Sequence, residues 1–294
     1  MLGDAPRLVR VVDTDAHEGP VYSPGEDALY FTSLPRPGSS GFPEVSIKRL
    51  ALDGARFPVE PERITVVRES ANVANGMALD LEGRLVVCEQ GTRSQHAAIS
   101  RDRVPLVDEW RGMRLNSPND VVVKSDGTIW FSDPSYGFLQ GFKPEPQLGD
   151  NVYRYDPSSE RLSVVADGFD KPNGLCFSPD ERVLYVADNG GPHHLKAFDV
   201  VDGRRLRGER LLAVSTPEHP DGLKADSEGR VYATFSGGIE VYSPEGDLIG
   251  EIVLPGAVNF TFGGPDRNVL LITRDDSIWA ALINAAAPSR LKEA

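Results

Sequence analysis

The chain has 294 residues, 44 of them acidic and 31 basic, for a formal net charge of −13. That balance excludes a nucleic-acid binder, which needs a basic footprint to neutralise phosphates, and a protein that docks on an anionic membrane surface. With 40% hydrophobic residues the chain can build a large core, while 29 glycines and 23 prolines demand many turns and few long helices.

No apolar run approaches the roughly 18 residues of a bilayer-spanning helix. The start, MLGDAPRLVRVVDTD, carries Asp4, Arg7 and Arg10 and lacks an apolar stretch, so no signal peptide is expected. Cys88 and Cys176 lie in the strand-like runs RLVVCEQ and GLCFSP. They are expected as buried free thiols in a cytoplasmic protein. No phosphate-binding glycine loop, HExxH or CxxC motif is present.

In chain order, RLVRVVD (7–13) alternates like a strand. Six segments with one shared pattern follow, each a small polar anchor, an alternating run, a tight turn and a second β-rich run. They begin at Glu18, Asn75, Asn119, Asn173, Asp221 and Asn259, spaced 57, 44, 54, 48 and 38 residues apart. Their turns, such as LEGR, SDGT and SEGR, supply the positive or preset φ of tight hairpins. Third and fourth strands follow, for example NVYRYDP and RLSVVA. A period of roughly 40–50 residues with four strands per unit predicts a β-propeller. The sixth unit has room for only three strands, so the N-terminal run is expected to complete it. The expected architecture is all-β: one six-bladed propeller domain over residues 1–294, four antiparallel strands per blade, the N-terminal strand closing the last blade.

In such a ring the anchors gather at one end of the central channel. The long connections 34–44, 89–98, 133–150 and 188–194 open on that same end. The anchors supply two carboxylates and four amides, a hard-oxygen donor set for one divalent cation. Calcium is favoured, with magnesium, manganese, zinc or iron as alternatives. Asp221, a carboxylate at that focus, is the candidate general base or nucleophile, with His219 as the alternative base.

The motifs EGP (18–20), SPND (117–120), KPNG (171–174) and HPDG (219–222) resemble the regucalcin / gluconolactonase / luciferin-regenerating enzyme superfamily. The stretch NSPNDVVVKSDGTIWFSDPSYG (116–137) is similar to its bacterial gluconolactonase branch. The resemblance implies a metal-dependent hydrolase of small lactones, with Glu18, Asn119, Asn173 and Asp221 as metal ligands. Alternatives on the same scaffold are a phosphoester or organophosphate hydrolase and a non-catalytic calcium-binding propeller. Animal members carry an Arg where this chain has Ser117, so Arg114 or Asn116 is expected to take its part. Asn75, Asp133, Tyr136 and His193 complete the candidate substrate contacts, and loop 133–150 is expected to cover the channel and set substrate choice.

Overall fold

The computed structural model describes residues 7–215 and 219–288. Six four-stranded antiparallel sheets form the blades of a propeller. Blade one runs from Val21 to Arg68, blade two from Ala74 to Val107, blade three from Val121 to Ala166. Blade four runs from Pro172 to Val214 and blade five from Leu223 to Val253. Blade six takes three strands between Ala257 and Leu282 and a fourth from Leu8–Asp13. Helix is confined to Tyr136–Leu139 and a 3-10 turn at Pro61–Arg63 among the described residues.

The ring closes as the strand count predicts. Leu8–Asp13 pairs antiparallel with Ser277–Leu282, from Leu8 opposite Ala281 to Asp13 opposite Ser277. Val11 and Val12 from that strand are buried with Leu271, Ile278 and Ala280. Burying each valine contributes about 1.5–3 kcal/mol, and the strand also covers an otherwise open edge. Deleting residues 1–13 is therefore expected to lower the melting temperature by on the order of 10 °C. An unchanged melting temperature would show that the closure carries no stability.

The hairpin turns repeat at the level of single atoms. In DLEGR, Asp80 Oδ1 accepts the amides of Glu82 and Arg84, at 3.0 and 2.9 Å. In DSEGR, Asp226 Oδ1 accepts those of Glu228 and Arg230, at 2.9 and 3.0 Å. In each, the arginine side chain folds back onto the second carboxylate oxygen. The cores are largely apolar layers between neighbouring blades, such as Phe131, Tyr153, Val121 and Ile129 against Cys88 and Ile99. Both cysteines are free and buried. No helix among the described residues is long and apolar enough to cross a membrane.

Candidate active site at the channel entrance

Each anchor is fixed by the strand beside it. The amides of Asn119 and Asp221 donate to the carbonyls of Ser132 and Thr234, at 2.9 and 3.0 Å. Hydroxyls on the second strands take further amides at the same level: Thr32 from Glu18, Ser132 from Asp120, Thr234 from Gly222 and Thr273 from Asn259. A β-branched or small hydroxyl residue there satisfies a backbone donor at the entry to the inner strand.

The residue after the anchor then touches the next blade. A Cβ on Gly19 would lie 2.3 Å from the carbonyl oxygen of Asn75, and one on Gly76 2.5 Å from that of Asn119. A Cβ on Gly174 would lie 2.2 Å from the carbonyl oxygen of Asp221, and one on Gly222 2.3 Å from Asn259 Oδ1. Gly76 and Gly174 donate their amides to Asn119 and Asp221, at 2.7 and 3.1 Å. The circle closes where Asn259 Nδ2 donates to Glu18 Oε2 at 2.9 Å. All six anchors therefore stand around one channel, with glycines permitting the contact in four of the six steps.

Blade three breaks that glycine rule. Asp120 follows Asn119, and its carboxylate accepts the amides of Val121 and, in blade four, Leu175, at 2.9 and 3.3 Å. Sequence reasoning missed this third carboxylate, although an Asp at a position that is Gly in four other repeats was a visible signal. Lys224 approaches it to 3.8 Å from below.

The electrostatics follow from burial. Glu18 is 5% exposed. Burial pushes its carboxyl above the usual range, opposed by His17, Asn259 and the Gly19 amide. Asp221 is pushed well up by burial and by the charges of Glu18 and Asp120, against a hydrogen bond from Asn173. Asn173 Nδ2 also meets the Tyr136 hydroxyl at 3.3 Å, which sets that tyrosine over the channel. Asp221 Oδ1 and Asn75 Oδ1 are buried without a hydrogen-bond partner among the described residues.

Two carboxylates held together beside orphaned oxygen acceptors fit a hard cation. Among the described residues no three His, Cys, Asp or Glu side chains form a metal cluster, so an ion here would need the amide oxygens as well.

The remaining candidates have other partners. Both oxygens of Asp133 are taken by the amides of Asn116 and Ser117, at 2.8 and 2.7 Å. Asp188 does the same in blade four, accepting from Asp170 and Lys171 at 3.2 and 2.8 Å. Both acids end the second strand of their blade and hold the segment that leads to an anchor. Burial pushes Asp133 up to about 7.

Asn116 Nδ2 donates to the carbonyls of Asp133, Leu148 and Gly149. Arg114 and Asn116 line a neighbouring cavity and not the ring of anchors. Ser117 Oγ accepts the Gly137 amide at 2.9 Å, and a Cβ on Gly137 would meet that oxygen at 2.7 Å. A large side chain at 117 has no room under this lid. His193 packs against His219, ring centroids 4.1 Å apart, and His219 Nδ1 is bonded to the Asn189 carbonyl at 2.8 Å. His17 reaches across the seam to Asp275 at 2.8 Å.

Several known proteins are similar to this chain. A gluconolactonase of Zymomonas mobilis is 32% identical over 193 residues, 61% of this chain and 54% of its own length. A lactonohydrolase of Aspergillus oryzae is 26% identical over 306 residues, covering 92% of this chain and 66% of its own. The chain thus spans about half to two thirds of these curated relatives. The solved structure of a Xanthomonas campestris gluconolactonase superimposes with a TM-score of 0.82 and 35% identity, covering 96% of this chain and 91% of that one. The family model described as the SMP-30/Gluconolactonase/LRE-like region matches residues 16–275, from the seam before Glu18 to the last blade. With its six anchors on one ring, the chain belongs to that family.

Proposed function

We propose that the protein is a metal-dependent hydrolase of small lactones, working in the cytoplasm without nucleic-acid or membrane partners. The observation that carries this reading is the buried Asp221 Oδ1, without a partner, in a ring that also holds Glu18 and amide anchors. The names of the relatives, gluconolactonase and lactonohydrolase, support lactones as the substrate class.

Glu18, Asn119, Asn173 and Asp221 would hold one divalent cation, calcium first among hard ions. When bound, the cation would supply a Lewis acid for the lactone carbonyl and for the charge that develops on it. The chain does the rest. Asp221, kept ionised by the cation's charge, takes a proton from the attacking water on its carboxylate and returns it to the ring oxygen as the acyl C–O bond breaks. The product is a hydroxy acid, which ionises to the hydroxycarboxylate and releases a proton to solvent. Asn173 holds Asp221 and Tyr136 in register. The turn bearing Tyr136 shields the ring from bulk water.

A pH-indicator assay with a panel of lactones, before and after chelation and with metals restored, tests the proposal. Turnover is expected to fall to background on chelation and to return with calcium or another divalent ion. A chelated protein that keeps its full rate would overturn the metal dependence.

A further inference from the structure

Behind the lid lies a second compartment, a cavity of about 290 Å³ between segments 92–97, 114–117 and 135–147. The short helix Tyr136–Leu139 is its wall. Tyr136 faces Asn173 on the channel side, while Phe138 lines the cavity. Ser117 Oγ accepts the Gly137 amide where the two compartments meet.

The cavity is cationic in a protein of net charge −13. Arg93, Arg114 and Lys143 line it, against one lining carboxylate, Glu145. His96, also on the wall, is bonded to Asp108 at 2.8 Å. Among the described residues no carboxylate comes within ion-pair distance of Arg93, Arg114 or Lys143. Among the described residues Arg93 has one hydrogen-bond partner, the Gly141 carbonyl, at 3.4 Å.

Lys143 is 8% exposed and spends two of its three N–H bonds on the carbonyls of Gln90 and Leu115, at 2.9 and 3.1 Å. Asp133 lies behind it. Burial, reinforced by repulsion from Arg114, brings Lys143 down to about 8 despite the opposing pull of Asp133. A half-enclosed space with cations that repel each other is stabilised by an anion, which finds charge-assisted donors in fixed positions.

We infer that this cavity is an anion subsite, taking a carboxylate or phosphate group on Arg93, Arg114 and Lys143. The inference rests on the lactonase reading for one of its two possible sources. The anion is either the distal charged group of a substrate or a free metabolite, such as the hydroxycarboxylate that lactone opening releases. Ser117 lies on the cavity wall and Asn119 on the ring. Two residues of chain span at most about 7 Å, within reach of a short substituent on a lactone ring. A free anion would instead brace the lid from behind, through the same turn that carries Tyr136.

The test has a binding arm and a turnover arm. Calorimetric titration with gluconate and with inorganic phosphate, with the neutral polyol glucitol as control, reads the site without any activity. Binding of either anion is expected to weaken about tenfold or more in Arg93→Gln and in Arg114→Gln, and to weaken with added salt. Both arginines are exposed, and an unchanged melting temperature verifies that each variant folds. The turnover arm compares kcat/KM for an aldonolactone with and without a terminal phosphate. A preference for the charged ring that falls about tenfold in Arg93→Gln identifies the substrate as the source. Free-anion binding lost in the variants, with no such preference, identifies a separate metabolite. Anion binding that the two variants leave intact, or no binding together with no preference, overturns the subsite. Absence of turnover on every lactone would overturn the lactonase reading and leave the binding arm readable.

Discussion

Asp221→Asn is expected to lower lactone turnover about 10²-fold or more, the scale of lost general-base assistance, while part of the bound metal remains. Glu18→Gln is expected to fail differently, with metal lost and activity partly recovered at high metal concentration. The two carboxylates differ in their free oxygens. Glu18 Oε2 already accepts from Asn259 at 2.9 Å and from the Gly19 amide at 3.2 Å, so this acid is committed to holding position. Asp221 keeps Oδ1 unengaged and stands next to the lid tyrosine's partner, Asn173. Asparagine at 221 retains one carbonyl oxygen for an ion but cannot take a proton from water at neutral pH. Metal content and kcat measured on both variants separate the two roles. Near-wild-type turnover in Asp221→Asn would remove its catalytic role and shift attention to His219, whose Nδ1 is bonded to the Asn189 carbonyl.

The fold could be read from the sequence because its determinants are local and repeated. Each repeat carries its own turn chemistry, and the three-strand shortfall at the end pointed to Leu8–Asp13 as the closing strand. The ring of anchors was legible for the same reason, since the start of the inner strand recurs in every repeat.

The surroundings of the site were harder to read. Segment 115–120 enters blade three without a ladder partner, so its amides need acceptors. Asp133 supplies them for Asn116 and Ser117, which no spacing in the sequence announces. The parallel endings IWFSD and LYVAD did carry a hint, because Asp133 and Asp188 perform the same task. Lys143 was invisible for a different reason. It ties three loops together, and the meeting of loops far apart in sequence depends on tertiary packing. Ser117 appeared as a missing arginine. In the folded chain it is the acceptor that anchors the lid, and Gly137 and Lys143 fill the space above it.

The ring of anchors should itself be fragile to a single methyl group. Gly174→Ala is expected to destabilise the protein by about 3 kcal/mol, the upper range for overpacking a tight contact, and to lower the melting temperature by roughly 6–10 °C. A Cβ there would lie 2.2 Å from the Asp221 carbonyl oxygen and 2.6 Å from the Leu223 amide nitrogen, both backbone atoms that cannot rotate away. Relief requires blades four and five to part. That would stretch the 3.1 Å bond from the Gly174 amide to the Asp221 carbonyl and draw Asp221 away from Asn173. Loss of metal affinity and of turnover should therefore accompany the loss of stability, although the methyl group touches no ligand atom. Gly25→Ala is the matched control, since a Cβ there meets nothing within 4 Å. It should stay within about 0.5 kcal/mol of the parent, as surface substitutions usually do. Equal melting temperatures for the two variants would mean that the blades slide freely past one another at this level. The contact between blades would then have no part in setting the distance from Asn173 to Asp221.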